Sequence, residues 1–462
     1  MKINLSRFTL VLVIISSLAC STITRVFTNP TPTATFVPAT VAPGTETPAP
    51  QVYVPPECQN IPFATVPVET ALAAPTPYLQ GNPEVSQDLQ LRVFEEVVGI
   101  IEEVYVYPDF NGLNWDSLVA QHRTRIEGGL NTEAFYTEMQ TLINELGDEH
   151  SALESPVEVA YAESELAGSN DFVGIGIYYL PMVEKQRISI LSVFPNSPAA
   201  HSGLKPHDSI LTVDGLPIVR NGEEISYLVT GPECTAVVLT VQSPGEGPRE
   251  MTLVRQRIQS PTLIEARLVA TSDGSRIGYI FLPTFYDETI PGQVHDALEN
   301  FGALDGLILD NRMNGGGSSS VLEPILAYFA SGVLGEYTSR SDTRDMEIDP
   351  DPVQNSQAVP LVVLVGRDTA SFGEVFSGVL RDAGRAKIIG EATFGNVEVL
   401  HGYGLPDGSR LWIAAETFTP RNSQVNWEET GIVPDVQAYA DWDTFTFESD
   451  PAVAAALTLL GH

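Results

Sequence analysis

The sequence predicts a multidomain α/β protein with an N-terminal helical lobe, a β-rich domain and an α/β core built of strand-turn-helix units. Its 462 residues, at about 150 per domain, correspond to roughly three folded units. Hydrophobic residues make up 43% of the chain, enough to bury sizeable cores and to exclude global disorder. The apolar pattern changes along the chain from helical spacing to short β-rich runs, and then to alternating strands and helices.

Composition and charge limit the partners that we expect. The chain carries 59 Asp and Glu residues against 24 Lys and Arg, a formal charge of −35. This balance argues against binding to nucleic acid, and it would repel an anionic membrane surface. The three cysteines form neither a disulfide framework nor a zinc-ligand set, and no His, Cys or carboxylate cluster has metal spacing. We therefore expect no metal, no organic cofactor and no nucleic-acid partner.

The N-terminus resembles a bacterial lipoprotein signal peptide, over residues 1–20. Lys2 and Arg7 precede an apolar run that is too short to span a bilayer and ends in small residues before Cys20. Ser17-Leu-Ala-Cys20 resembles a lipobox, in which the cysteine is acylated and becomes the mature N-terminus. Cleavage without lipid is the alternative. We expect an exported, extracytoplasmic protein that is held at the membrane only by a lipid anchor on Cys20.

A linker is predicted over residues 21–83. Its Pro/Thr-rich stretch has few charges and cannot form a core, so we expect an extended stalk. Cys58 lies in this segment, and the other remaining cysteine is Cys234. In an oxidising exterior the two could pair, with two unpaired thiols as the alternative.

Helical periodicity predicts a lobe over residues 84–168. Its first helix lies between Asp88 and Tyr107, where apolar residues recur at helical spacing. A second helix is predicted to begin after Asn114. A third helix is predicted with Asn131 or Thr132 as its N-cap and Gly147 as its C-terminal stop. Asp148-Glu-His150-Ser follows this last stop at once. The lobe thus presents His150 on the loop that leaves it.

Residues 169–260 change to short β-rich runs at Ile188–Val193, Ser209–Val213 and 236–241. The string from Ser197 to Gly215 closely resembles the core of a bacterial PDZ domain. In such domains, backbone N–H groups at the positions of Gly174, Ile175 and Gly176 receive the terminal carboxylate of a peptide. We therefore expect peptide or protein partners with free C-termini.

Strands and helices alternate over residues 261–440, and a short C-terminal segment, 441–462, follows. The strands are predicted at Ile277–Leu282, Gly306–Asp310 and Leu361–Val365, with helices near 291–301 and from about 373 to 384. This is an α/β architecture, and its chemistry is concentrated at two strand-to-helix turns.

Ser371 lies at one of these turns. A helix N-terminus there offers unpaired N–H groups and a positive dipole end that can stabilise an oxyanion, although a capping serine is the alternative. The other turn, Asp310–Gly317, has three consecutive glycines that can bring a second backbone donor close to a substrate carbonyl. A flexible loop or a phosphate cradle are the alternatives, but no lysine follows in the phosphate-loop register.

Together these features resemble the carboxyl-terminal processing (tail-specific) serine protease family. The segments that carry the resemblance are Gly147–Ser151, Asp310–Gly317, Thr369–Glu374, Arg385–Gly395 and Gly431–Asp435. The resemblance implies that Ser371 is the nucleophile and that the amides of Gly316 and Phe372 bind the oxyanion. It also implies the family's order of helical lobe, PDZ domain and α/β protease core.

One position departs from the family pattern. The general-base lysine that follows Thr-Phe-Gly is replaced by Asn396, whose amide cannot accept the serine proton. A minority branch that includes the tricorn core protease uses a Ser-His-Glu triad, and the resemblance to it implies His150 as the base and Glu428 as the orienting residue. Glu429 is the adjacent alternative. A peptide-binding pseudoprotease and a different acyl hydrolase on the same scaffold also remain open.

Overall fold

The computed structural model describes residues 52–59, 82–148, 150–166, 171–220 and 222–462. Cys20 and the predicted signal peptide lie outside these residues. Within them, no helix has the length and apolar character that crossing a membrane requires. Short 3₁₀ turns occur at Pro56–Cys58, Phe110–Gly112, Val183–Lys185, Ser226–Val229, Trp442–Thr444 and Phe447–Ser449.

The helical lobe consists of α1 (Gln87–Val104), α2 (Trp115–Glu127), α3 (Thr132–Asn144), the short strand β1 (Ala152–Glu154) and α4 (Pro156–Leu166). Of the two predicted caps of α3, the structure uses Asn131, whose side chain accepts the Ala134 N–H at 2.9 Å. Asn114 caps α2 in the same way, at 3.2 Å from Ser117 N. The lobe is held by a core that includes Phe94, Ile101, Phe135 and Met139.

The β-rich unit follows, over residues 171–259. Its elements are β2 (Asp171–Gly174), β3 (Ile177–Met182), β4 (Arg187–Val193), α5 (Pro198–His201), β5 (Ser209–Val213), β6 (Leu216–Pro217), β7 (Val219–Arg220), β8 (Glu223–Glu224), β9 (Ala236–Gln242), β10 (Arg249–Val254) and β11 (Gln256–Gln259). The main sheet has the order β10-β9-β5-β4-β3, so β3 is its terminal strand, and β6 pairs with β5. Smaller pairs join β11 to β2 and β7 to β8.

The core contains β12 (Glu265–Val269), β13 (Ile277–Phe281), α6 (Ile290–Phe301), β14 (Gly306–Asp310), α7 (Ser319–Phe329), β15 (Gly332–Ser339), β16 (Thr343–Ile348), β17 (Leu361–Val365), α8 (Phe372–Asp382), β18 (Ala386–Gly390), β19 (Val399–Gly404), β20 (Arg410–Pro420), α9 (Trp427–Thr430), β21 (Val436–Gln437) and α10 (Pro451–Leu460). Its main sheet has the order β12-β13-β14-β17-β18-β21. The strands from β13 onward are parallel, and β13, β14 and β17 are buried throughout, as their unbroken apolar sequences predict.

A second, antiparallel sheet joins the helical lobe to the α/β core. Its order is β1-β20-β15-β16, with β19 also on β20. In the pairing of β1 with β20, Leu153 lies opposite Leu411. Just before β1, Ser151 Oγ accepts the Ala414 N–H at 3.0 Å. The residue preceding Ser151 is His150, so this pairing fixes the place where the predicted base enters the core.

The predicted fold class is confirmed: helical lobe, β-rich unit and α/β core occur in that order. One part of the predicted extended linker is instead packed against the β-rich unit. Cys58 and Cys234 form a disulfide with a Cα–Cα distance of 5.2 Å, which answers the pairing question that the sequence left open. The ring of Tyr53 stacks on His201 of α5 at 3.7 Å between centroids.

Candidate active site

Ser371 occupies the turn between β17 and α8 in a strained backbone conformation. Its φ of +53° and ψ of −129° are rare for a residue with a side chain. The turn is held by the neighbouring loop, because Ala370 N donates to Asn314 O at 3.1 Å and Thr369 Oγ1 donates to Asn311 O at 2.8 Å. A nucleophile on a strained strand-turn-helix is exposed at the helix N-terminus, where backbone N–H groups can stabilise negative charge.

The glycine loop after β14 lies directly against this turn, since the carboxyl ends of adjacent parallel strands meet at one edge of the sheet. Gly316 has a φ of +99°, and a Cβ on it would lie 2.7 Å from Ser371 Cβ, so only glycine fits. Its N–H donates to Asn314 Oδ1 at 2.9 Å, whereas no described residue accepts the Phe372 N–H. Both predicted oxyanion donors are thus adjacent to Ser371. Their role stays a prediction, and for Gly316 it requires release from Asn314.

Glu374, fully buried in the first turn of α8, connects Ser371 to the segment that contains Asn396. Its carboxylate accepts the Ser371 N–H at 3.2 Å, and the N–H groups of Gly395 and Asn396 at 2.8 Å each. Thr393 Oγ1 donates to it at 2.5 Å. Burial raises the pKa of Glu374 to about 7, against the opposing effect of these hydrogen bonds.

Asn396 stands where the resemblance leads us to expect a lysine. It is 8% exposed, and its side-chain Oδ1 has no hydrogen-bond partner among the described residues. A neutral amide therefore stands at this position, and it cannot serve as a general base.

His150 is supplied by the loop after α3, with Asp148 holding that loop in place. The Asp148 carboxylate accepts the N–H groups of His150 and Ser151 at 3.0 and 2.8 Å. The imidazole is 12% exposed, and its Nδ1 lies 3.7 Å from Glu398 Oε2. Burial lowers the pKa of His150, while Glu428, Asp148 and Glu374 oppose this effect electrostatically. The imidazole is thus kept neutral, as a general base requires; no hydrogen bond joins its ring to Ser371 in this arrangement.

Two carboxyl groups lie near the imidazole, that of the buried Glu398 and that of the half-buried Glu428. Glu428 Oε2 accepts the N–H groups of Val397 and Glu398 at 2.6 and 3.2 Å. Burial, followed by the neighbouring Glu398 carboxylate, raises the pKa of Glu428 to about 8. Burial also raises the pKa of Glu398. The Tyr107 hydroxyl donates a hydrogen bond to Oε1 of this carboxyl group. Each carboxyl group contributes to the pKa shift of the other, so the two titrate as a coupled pair.

The sequence-based assignment missed Glu398. The available signal was weak: a single acid between Val397 and Val399 in an otherwise apolar run after Asn396. Of the two acids that the sequence offered, Glu428 lies in the cluster, while Glu429 is exposed and accepts a hydrogen bond from Asn426 Nδ2 at 3.1 Å. The nearest carboxylate to the imidazole Nδ1 is therefore a third residue, Glu398.

The acid pair forms part of the wall between two cavities. One has a volume of about 590 Å³ and the other of about 280 Å³, and both are lined by Tyr107, Glu398 and Glu428. The larger one also reaches Asn396. Among the described residues, no group of three or more His, Cys, Asp or Glu side chains could hold a metal ion.

The predicted peptide loop joins β2 to the terminal strand β3. Ile175 O accepts the Ala199 N–H at 2.9 Å, and Gly176 O accepts the Phe194 N–H at 3.1 Å. Gly176 has a φ of +81°, and a Cβ on it would lie 2.3 Å from Ser197 Cβ, so a side chain is excluded. The shape of Gly174-Ile175-Gly176 is thus fixed by packing, and its role in carboxylate binding stays a prediction.

Comparison with known proteins relates both units to characterised families. Residues 276–438 match peptidase family S41, and residues 189–243 match a PDZ domain. A carboxyl-terminal-processing protease of Synechocystis sp. is 31% identical over 78% of this chain and 84% of its own. The chloroplastic carboxyl-terminal-processing peptidase 2 of Arabidopsis thaliana is 27% identical over 74% of this chain and 68% of its own. The solved structure of a photosystem II D1 C-terminal processing protease superposes with a TM-score of 0.54, at 25% identity, over 82% of this chain and 98% of its own.

Proposed function

This chain belongs to the carboxyl-terminal-processing proteases of peptidase family S41, serine peptidases with a PDZ domain, and from that membership we propose that it hydrolyses peptides with a Ser-His-carboxylate unit instead of a Ser-Lys dyad. Ser371 attacks the scissile carbonyl, and His150 removes its proton. Since Nδ1 of His150 faces Glu398, Nε2 is the nitrogen left for Ser371. The amide of Phe372, joined by that of Gly316, binds the oxyanion.

The observation that carries this proposal is the imidazole of His150, 12% exposed and with a lowered pKa, beside a carboxylate in a site where Asn396 stands in place of the lysine. Glu398 fixes the tautomer of His150 and stabilises the imidazolium that forms, while Glu428 holds the backbone of residues 397 and 398. A direct contact of Ser371 with His150 then forms when substrate binds, as catalytic hydrogen bonds often tighten in the Michaelis complex.

Covalent labelling with a serine-reactive phosphonate tests this proposal. Wild-type protein should be modified at Ser371, as located by peptide mass analysis, because only an activated serine reacts. His150→Ala should abolish labelling while Glu429→Gln, a matched change of an exposed acid, should leave its rate unchanged. A wild-type protein that is not labelled and cleaves no peptide, yet binds C-terminal peptides, would establish the pseudoprotease alternative.

The PDZ domain is proposed to recruit substrates by their free C-terminus. The loop Gly174-Ile175-Gly176 precedes the terminal strand β3, which is the arrangement used in β-augmentation. A peptide and its C-terminal amide should be compared by calorimetry on Ser371→Ala protein. We expect the free acid to bind about tenfold more tightly; equal affinities would show that the carboxylate is not recognised.

An extracytoplasmic location is proposed as well, with a lipid on Cys20. The signal pattern supports it, and so does the Cys58–Cys234 disulfide, since such bonds persist in oxidising compartments. Mass analysis of the N-terminal peptide should show an acylated Cys20. An unmodified Cys20 or a different N-terminus would overturn the anchor.

A further inference from the structure

We propose that the larger cavity, beside Asn396, binds a cationic side chain of the substrate, a lysine ammonium or an arginine guanidinium, and so gives the enzyme a preference for basic residues near the scissile bond. This inference rests on the proposed peptidase function and adds a substrate class to it.

The lining of the cavity is strongly acidic. Glu145, Asp148, Glu398 and Glu428 contribute to it, and none of its described lining residues is Lys, Arg or His. Its volume of about 590 Å³ is far larger than a single metal ion needs and suits a side chain with its stem. The net charge of −35 would also attract cationic segments to the protein.

A buried acceptor in this lining lacks a donor. Asn396 Oδ1 accepts no hydrogen bond from the described residues, and Asn396 is 8% exposed. The carboxylate of Glu398, to which Tyr107 donates, adds negative charge to the same lining. Because an unsatisfied buried acceptor is costly, a ligand that brings several donors and a positive charge is favoured. An ammonium or a guanidinium has both.

The cavity is connected to the turn of Ser371 through Glu374. The Asn396 N–H is bonded to Glu374 Oε2, the same oxygen that accepts the Ser371 N–H. The backbone of Asn396 is therefore two hydrogen bonds away from the backbone of Ser371. Phe394, 39% exposed, adds an aromatic ring to the lining against which a cation can pack.

Ionisation of the acid pair should respond to such a ligand. Glu428, with a pKa raised to about 8, is faced by Glu398, His150, Tyr107 and Glu374. Of these four, only the imidazole can become positively charged, and burial keeps it neutral. A bound cation stabilises the Glu428 carboxylate, so binding should release a proton near neutral pH.

Hydrolysis of a peptide series tests the preference. N-acetylated peptides with free C-termini would carry lysine, arginine or Nε-acetyl-lysine at each position flanking the bond that mass analysis identifies as cleaved. We expect kcat/KM to be about tenfold or more higher for lysine or arginine than for acetyl-lysine at one position. Glu145→Gln should reduce that ratio, whereas Glu429→Gln, whose acid lies outside the cavity lining, should not. Equal kcat/KM at every position would overturn the proposal.

Direct binding separates this inference from the proposed function. Nα-acetyl-lysine methylamide, its arginine counterpart and the Nε-acetylated lysine probe would be titrated into Ser371→Ala protein by calorimetry. The two cations should bind and the acetylated probe should not, with Asn396→Leu weakening the cations about tenfold. Cation binding by a wild-type protein that hydrolyses nothing supports the cavity and refutes the hydrolysis. Hydrolysis without a basic preference and without cation binding would support the proposed hydrolysis and refute the cation-binding cavity.

Discussion

The proposed nucleophile and the proposed base of this site are built in opposite ways. Ser371 and the glycine loop follow adjacent strands of one parallel sheet and pack backbone against backbone. Behind them, the buried guanidinium of Arg312 bridges the carboxylates of Asp310 and Asp450, at 2.5 Å from each. The base region instead brings together the loop of His150, the strand entry at Glu398 and the short helix of Glu428, which are distant in sequence.

The difference shows where this enzyme can change without losing its fold. The nucleophile turn tolerates almost nothing, since an added Cβ at Gly316 would meet Ser371 itself. The base region consists of side chains that project into a shared space between segments. In the proposed mechanism, Asn396 therefore stands in place of a lysine while another segment provides the imidazole.

The largest loss of kcat should come from removing the side chain of either Ser371 or His150. Ser371→Ala and His150→Ala should each lower kcat by about 10⁴-fold or more, and the double variant should be no worse, because the residues of a catalytic unit fail together. Peptide hydrolysis measures this, with thermal unfolding as the check on folding. A His150→Ala protein with wild-type kcat would show that His150 is not the general base.

The carboxyl pair should show the next largest effect. Glu398→Gln should lower kcat by about 10² to 10⁴-fold, because the tautomer and orientation of His150 are lost. Glu428→Gln should cost less, about tenfold, since an amide oxygen can still accept the N–H groups of residues 397 and 398. If Glu428→Gln were the more damaging change, the orienting role would belong to Glu428, as the sequence suggested.

Gly316→Ala tests the close packing of the glycine loop against the turn of Ser371. The new Cβ would meet Ser371 Cβ at 2.7 Å in a backbone conformation that alanine rarely adopts. We expect kcat to fall about 10²-fold, comparable to the loss of an oxyanion donor, with KM little changed. A fully active variant would show that the glycine loop can move away from the nucleophile.

The pH dependence of kcat/KM should reflect the lowered pKa of His150. His150 must be neutral to act, and burial lowers its pKa from 6.5, so kcat/KM should rise with pH along a limb that is centred below that value. On the acid side, activity should fall about tenfold per pH unit. The same shift means that His150 binds more protons in the unfolded chain, so its contribution to stability declines as pH falls below 6.5, while the raised pKa values of Glu374 and Glu428 act in the opposite direction. A limb centred well above 7 would contradict a histidine base.

The smallest effect is expected at Glu429. Its side chain is exposed and bonded to Asn426, so Glu429→Gln should change kcat/KM by less than about twofold. A large loss would mean that α9 rearranges when substrate binds.

The contrast also separates what the sequence can and cannot predict. The strands at Gly306–Asp310 and Leu361–Val365 have the predicted bounds, because buried parallel strands are unbroken apolar runs whose ends are marked by turn residues. The placement of Ser371 follows from the same local pattern.

The carboxylate that lies nearest to His150 Nδ1 could not be predicted in this way. Glu398, Glu428 and Glu429 all satisfy the chemistry, and only the pairing of β19 and α9 with the rest of the core determines which one faces Nδ1. The β1–β20 pairing that delivers His150 joins residues far apart in the chain, and no local pattern encodes it.

The Cys58–Cys234 bond gives the chain a covalent topology that the backbone alone does not have. With 176 residues of separation, it closes a ring that contains the helical lobe, His150 included. A single protease cut anywhere between the two cysteines would open the ring and leave both pieces attached. A nicked molecule would migrate as two fragments only after reduction. A force applied to the chain N-terminal to Cys58 would be transmitted to the β-rich unit through the disulfide, before it acted on the helical lobe.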